Sequence, residues 1–124
     1  MKLLSEAIKL FQNEDKKAIL PKDIGDIKIF NAKECNLPNT HAEEAKENSI
    51  KALYVDRNFL SSNDFITVLT ALLSESQREK GSDESSSFSY ALTTLIESEL
   101  MTLLHNPEIS QKLQVLNQMY EGIK

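Results

Sequence analysis

The feature that most constrains the fold is a pair of strongly apolar, helix-spaced segments within residues 61–105. They flank residues 81–87, a stretch rich in serine and acidic residues that begins with glycine. Apolar residues at intervals of three and four predict a helix on each side, and the stretch between them predicts a flexible hinge. No recognisable catalytic motif lies in or around the pair, so we expect a scaffold that acts through its surfaces.

Four main helices are predicted. In residues 3–13 the apolar positions recur at helical spacing and define an N-terminal amphipathic helix. The apolar segments predict helices over 61–77 and 87–105, and the second is apolar around so much of its circumference that we expect it to be central. Asn106-Pro107-Glu108 combines a capping residue, a first-turn proline and an acid, which predicts a last helix over 107–122.

Two short strands are predicted between the first helix and the other three. Ile27–Phe30 alternates apolar and polar residues, and residues 50–55 are rich in β-formers. We predict that the two strands pair antiparallel, although connectivity alone leaves the pairing open. Residues 31–39 read as a loop, and Thr40-His41-Ala42-Glu43 reads as a capping box that opens a short helix through about residue 48. The expected fold is therefore α+β and mainly helical, with residues 1–124 as a single domain.

Charge is distributed unevenly along the chain, whose net charge is −5. Residues 1–53 carry nine Lys and nine acidic residues, whereas residues 54–124 carry ten acidic residues against five Lys or Arg. Binding to a phosphate backbone or to an anionic membrane needs clustered basic residues. We therefore expect neither a nucleic-acid nor a membrane partner, and a basic protein partner stays open.

Cysteine content and hydropathy point to a cytoplasmic protein. The one cysteine, Cys35, cannot form a disulfide within the chain, which agrees with a reducing compartment. The opening residues resemble a signal peptide only briefly, because Ser5 and Glu6 interrupt the apolar run. No stretch approaches the roughly 20 apolar residues of a membrane span.

Residues for metal or acid–base chemistry are sparse. His41 and His105 are far apart in the sequence, and a structural zinc site usually takes four Cys or His ligands in paired spacings. Glu97 and Glu99 lie two residues apart, so on a helix they point in different directions, and one of them can point inward. Serines at 82–89 lack the turn motif of hydrolases, and no glycine-rich phosphate loop is present. We predict no catalytic residue, no cofactor and no metal site.

One stretch resembles the core of the zinc metallopeptidases. Strand-like residues 50–55, an Asp-containing turn and an apolar helix that ends in Leu73-Ser74-Glu75-Ser76-Gln77 follow the order of elements in that family. The resemblance implies a helix bearing His-Glu-x-x-His, two zinc ligands and a general base. Here Ser74-Glu75 replaces His-Glu and Arg78 replaces the second histidine, so the resemblance implies an enzyme-derived fold that lacks the metal ligands.

The helical segments hold more large aliphatic residues than two strands and one short helix obviously cover. Unburied apolar surface usually serves protein interfaces, so the favoured function is a small acidic protein-binding module: an adaptor, a secretion-chaperone-like factor or an inhibitor. A homodimer formed by helix packing is the simplest way to cover this apolar surface. A further alternative for the function is a structural subunit of a larger assembly. The predicted contact residues lie on the helices of residues 61–77 and 107–122: Leu69, Leu72, Leu113, Leu116 and Tyr120.

Overall fold

The computed structural model describes residues 2–15, 20–45, 49–77 and 86–123, without the side chains of residues 86–91. Within these residues the chain forms six helices and one three-stranded sheet. In chain order the elements are α1 (Lys2–Asn13), β1 (Asp23–Phe30), α2 (Ala32–Cys35), β2 (Thr40–Glu44), β3 (Ser49–Asp56), α3 (Arg57–Ser62), α4 (Phe65–Glu75), α5 (Ser86–His105) and α6 (Pro107–Ile123). The predicted α+β, mainly helical fold is confirmed.

The N-terminal helix and the three long helices of the C-terminal half are confirmed, close to their predicted bounds. Asp64 caps α4, because its side chain accepts a hydrogen bond from the Thr67 N–H at 2.8 Å. Asn106 accepts a hydrogen bond from the Ile109 N–H at 3.4 Å, and α6 begins at Pro107 as the sequence predicts. The predicted hinge over 81–87 lies outside the described residues as far as residue 85, and its last two serines begin α5.

The predicted antiparallel pairing of the first and last strands is wrong. The strand order is β1-β3-β2, and β1 pairs parallel with β3, so that Ile27 lies opposite Leu53 and Ile29 opposite Val55. A parallel pair needs a crossover connection of about a dozen residues or more. Residues 31–48 provide it here, and they include a strand of their own.

The helix predicted to open at Thr40 is also wrong, because Thr40–Glu44 forms β2. This strand pairs antiparallel with β3, with Thr40 opposite Val55 and His41 opposite Tyr54. Residues 46–48 of the predicted helix lie outside the described residues. Tertiary pairing overrides the local capping signal, because β3 gives this segment a ladder of backbone hydrogen bonds along one edge.

Two short helices, α2 and α3, were not predicted, and one aspartate supports both. The Asp56 side chain caps α3 by accepting a hydrogen bond from the Phe59 N–H at 3.1 Å. Its other oxygen accepts a hydrogen bond from the Ala32 N–H, at the start of α2, at 2.9 Å. These two donors hold the pKa of Asp56 below its ordinary value. Asp56 therefore joins the ends of β1 and β3 to the helices that follow them.

Gly25 allows β1 and β3 to approach closely. A Cβ atom at this position would lie 1.9 Å from the backbone oxygen of Lys51 on β3. That distance is far below van der Waals contact, so any larger residue would force the strands apart. Glycine at this position of the strand is thus a packing requirement.

The core lies between the sheet and the helices. α1 and α4 contact the sheet, and α6 in turn contacts both α1 and α4. α5 contacts α6. The largest fully buried side chains come from α1, β3, α4 and α6: Leu4, Ile8, Leu53, Phe65, Leu72 and Tyr120. One hydrophobic cluster therefore joins the first described helix to the last.

Candidate protein-binding surfaces

The five predicted contact residues lie together in the interior of the chain. Each is less than a tenth exposed, and all belong to the core cluster: Leu69, Leu72, Leu113, Leu116 and Tyr120. Their apolar stripes pack with residues of α1, the sheet and each other in one cluster. The apolar surface of these helices is therefore made by other residues.

Tyr120 shows how firmly α6 is held in this interior. Its hydroxyl donates a hydrogen bond to the Leu60 backbone oxygen, and the Asn63 backbone oxygen lies 3.4 Å away. Its ring packs against Phe65 with the ring centroids 5.4 Å apart. Burial raises the pKa of Tyr120 above its ordinary value, with smaller effects of the Glu121 and Asp64 carboxylates. Tyr120 is thus an anchor between α6 and the α3–α4 connection.

A second stripe on α6 faces solvent. Val115, Met119 and Ile123 follow one another at i, i+4 and i+8, and each is more than half exposed. The buried stripe of the same helix runs through Ile109 and Leu113 to Tyr120. Helix α6 therefore has two apolar sides, one used for the core and one left open.

The open side of α6 forms a groove with α1. This α1/α6 groove has a volume of about 670 Å³. Its apolar lining comes from Leu10, Val115, Leu116 and Met119. Its polar lining comes from Glu6, Lys9, Glu108, Gln111 and Lys112. Two acidic and two basic side chains make the lining close to neutral, and Glu108 pairs with Lys112 at 3.2 Å.

Helix α5 also leaves large aliphatic side chains in solvent. Ile96, Leu100 and Leu104 recur every four residues and are exposed, and Met101 beside them is exposed as well. We call Ile96, Leu100, Met101 and Leu104 the α5 face. The predicted central position of α5 is not what the structure shows, because these four apolar side chains point away from the core.

The inward side of α5 carries both apolar and polar side chains. It gives Leu95 to the core, and the partly buried Leu103 packs against the core as well. The partly buried Glu99 and Thr102 lie beside them, and Thr102 donates a hydrogen bond to the Ser98 backbone oxygen at 3.0 Å. Burial raises the pKa of Glu99 to about 7, and the nearby Asp15 carboxylate adds to the rise. Glu99 Oε1 is buried and has no hydrogen-bond partner among the described residues.

A second groove runs along α5 beside the end of α1. It has a volume of about 580 Å³. Met101 lines it, together with the acidic Glu14 and Glu97 and, toward the C-terminal end of α5, His105. No Lys or Arg of the described residues lines this groove. Of the two glutamates singled out on α5, Glu97 therefore faces the groove and Glu99 faces inward.

The sheet carries an aromatic and charged cluster centred on Tyr54. The Tyr54 hydroxyl donates a hydrogen bond to Glu43 Oε2 at 2.9 Å, and Lys51 Nζ lies 3.4 Å from Glu43 Oε1. The hydrogen bond raises the pKa of Tyr54 and lowers that of Glu43. Rings of Phe30 and His41 lie 5.6 and 6.0 Å from the Tyr54 ring. These contacts cross all three strands and stabilise their register.

Residues weighed for metal or hydrolytic chemistry lie apart. Glu75, the retained acid of the metallopeptidase-like segment, is buried and accepts a hydrogen bond from Thr40 Oγ1 at 3.2 Å. Cys35 is exposed on α2, and His105 is exposed at the end of α5. Within the described ranges no group of three or more His, Cys, Asp or Glu side chains could hold a metal ion.

Reasoning from the sequence missed the exposed stripes, although part of the signal was present. Val115, Met119 and Ile123 are spaced by four, as a helical stripe requires. The same helix carries a second apolar stripe with more residues, and the sequence favours that stripe as the buried one. Choosing which stripe is buried depends on how α1 and α6 pack, and that is a tertiary property. For α5, apolar residues around most of the helix left the outward side undetermined.

None of the helices within residues 2–15, 20–45, 49–77 and 86–123 combines the length and hydropathy of a membrane-spanning segment. No family model, curated protein sequence or solved structure matches the chain.

Proposed function

We propose that this chain is a non-catalytic protein-binding module and that the α1/α6 groove receives an amphipathic helix of another protein. The observation that carries the proposal is the groove itself, which has a volume of about 670 Å³ and is lined by Leu10, Val115, Leu116 and Met119. Two helices side by side offer a furrow onto which the apolar side of a third helix packs.

The exposed side chains of the groove supply a driving force for binding. Val115 and Met119 are 54% and 52% exposed. Full burial of a Val or Met side chain contributes about 1.5–3 kcal/mol, so covering the exposed half of each contributes roughly 1 kcal/mol. Leu10 and the edge of Leu116 also line the groove, so a partner helix can contact them while they stay packed in the core.

The charges of the groove favour a partner with a largely uncharged contact stripe. Glu6 and Lys9 lie on the α1 side, and Glu108 and Lys112 already pair with each other on the α6 side. A balanced lining exerts little net attraction on either sign of charge. The groove therefore selects its partner helix mainly by the shape of the partner's apolar side. The charged side chains at its rim can form hydrogen bonds with that partner.

The test is affinity capture from an extract of the source organism, followed by titration of the captured protein in purified form. Val115→Glu and Met119→Glu place a charge in the groove, while Ile66→Glu is the matched control, since Ile66 is 53% exposed on α4 and does not line the groove. We expect the groove variants to weaken binding roughly tenfold or more, and Ile66→Glu to leave the Kd unchanged.

Two outcomes would contradict the proposal. In the first, no captured protein depends on Val115 and Met119. In the second, light scattering shows a dimer that either groove variant converts into a monomer, because the groove would then be occupied by a second copy. Far-UV circular dichroism of each variant establishes that the fold is retained.

A further inference from the structure

We propose that the α5 face and the adjoining acidic groove form a second docking surface, which binds a cationic amphipathic helix of another protein. The inference extends the protein-binding function to a separate surface with a different selectivity. It does not require the α1/α6 groove to be occupied. The two surfaces are therefore testable independently.

The first argument is the orientation of α5. An amphipathic helix packed on a domain normally has a polar side toward solvent. Here Ile96, Leu100 and Leu104 face solvent over three successive turns, in addition to the apolar side chains that α5 gives to the core. An exposed stripe of this length, about 12 Å at 1.5 Å per residue, matches the contact length of two to three turns of a partner helix.

The second argument is charge. Glu14 and Glu97 line the groove beside the stripe, and no Lys or Arg of the described residues accompanies them there. The sequence of α5 contains no Lys or Arg at all. A partner helix that places Lys or Arg along one edge of its apolar stripe would meet these carboxylates with complementary charge.

The same charges disfavour the alternative occupants. Pairing α5 with α5 of a second copy would bring acidic side chains of both copies to one interface, with His105 as the only group on either helix that can become cationic. Like charges across an interface are destabilising. An anionic membrane would be repelled for the same reason. A basic helix is the occupant that satisfies both the stripe and the groove.

The probe is a fluorescein-labelled helical peptide of leucine and lysine, about 18 residues or five turns long, with leucines along one side. A peptide with glutamine in place of every lysine is its matched partner. Fluorescence anisotropy at physiological salt should show the lysine peptide binding roughly tenfold more tightly than the glutamine peptide. Equal affinities would overturn the inference.

Two sets of variants locate the binding. Glu14→Lys with Glu97→Lys should weaken binding of the lysine peptide roughly tenfold, through lost attraction and new repulsion. Asp26→Lys with Glu121→Lys changes the net charge equally at exposed sites outside the groove, and should cost about threefold at most.

Leu100→Ser removes an exposed aliphatic side chain of the α5 face and should weaken binding of both peptides severalfold. Equal losses from the two double variants would overturn the inference, because they would show attraction to net charge alone.

Val115→Glu separates this inference from the proposed function. It should leave the affinity for the lysine peptide unchanged, because Val115 lines the α1/α6 groove and not the α5 groove. Loss of peptide binding in Val115→Glu would show that the peptide binds in the α1/α6 groove, which would overturn the inference. A dimer that Leu100→Ser converts into a monomer would overturn it as well, because the α5 face would then be a contact between two copies.

Discussion

Replacing Glu99 by glutamine should make the chain more stable at high pH and leave its stability nearly unchanged at low pH. The Glu99 side chain lies on the inward side of α5 with Oε1 buried and without a hydrogen-bond partner among the described residues. Burial and the nearby Asp15 carboxylate raise its pKa from 4.5 to about 7. Glutamine has nearly the same shape as the protonated acid and carries no charge.

The sign of the effect follows from the direction of the pKa shift. Below about pH 4.5 the carboxyl is protonated in both the folded and the unfolded chain, so it carries no charge in either. Between about pH 4.5 and 7 the unfolded chain ionises first, so the free energy of unfolding falls as pH rises. Above about pH 7 the loss is complete.

The magnitude follows from the two pKa values. The difference between 4.5 and about 7 corresponds to about 3 kcal/mol of unfolding free energy. Residual solvent contact of this partly buried side chain screens the charge, so we expect about 1–3 kcal/mol. Relative to the parent chain, Glu99→Gln should therefore gain about 1–3 kcal/mol near pH 8.5 and no more than about 0.5 kcal/mol near pH 4.5.

Urea unfolding followed by far-UV circular dichroism measures this difference across the pH range. Comparing parent and variant at each pH cancels the contributions of all other titrating groups. Glu97→Gln removes a carboxylate from the exposed side of the same helix and is the control for the loss of one negative charge. A Glu99→Gln difference that stays constant with pH would refute the placement of Glu99 inside the fold.

Three further stability predictions use the same urea assay. Gly25→Ala should lower the free energy of unfolding by about 1–3 kcal/mol. Gly122→Ala, with nothing within 4 Å of its added Cβ atom, should raise it by about 0.5–1 kcal/mol. Changes of the same sign in the two variants would contradict the close approach of β1 and β3. Tyr120→Phe should cost about 1 kcal/mol by removing the hydrogen bond from the Tyr120 hydroxyl to the Leu60 backbone oxygen, and no loss would contradict the anchoring of α6. Asp56→Ala should lower the urea midpoint more than Asp56→Asn, because asparagine can still accept the N–H of Ala32; equal losses would contradict that role.

The helices could be predicted from the sequence because their signals are local. The capping side chains of Asp64 and Asn106 and the first-turn Pro107 act within one turn of the residues that they support. Apolar spacing of three and four then carries each helix to its end. Such features do not depend on the rest of the chain.

The sheet and the exposed apolar surfaces could not be predicted in the same way, because they depend on distant contacts. Thr40–Glu44 carries a helix-opening pattern, yet its position beside β3 makes it a strand. Leu116 and Val115 are adjacent in sequence, yet one lies at the edge of the core and the other in solvent. Which apolar stripe is covered depends on the angle at which α1 meets α6. The predicted contact residues were buried for that reason.

The contact between α1 and α6 has a consequence for synthesis of the chain. Ribosomes add about 5–20 residues per second, so residues 2–13 are made roughly 5–20 s before residues 107–123. Throughout that interval the part of α1 that α6 will cover lacks its partner helix. Nascent chains halted before Pro107 should therefore bind chaperones and be cleaved readily by proteases. Chaperone binding and cleavage should both stop once residues 107–123 have left the ribosome and α6 packs on α1.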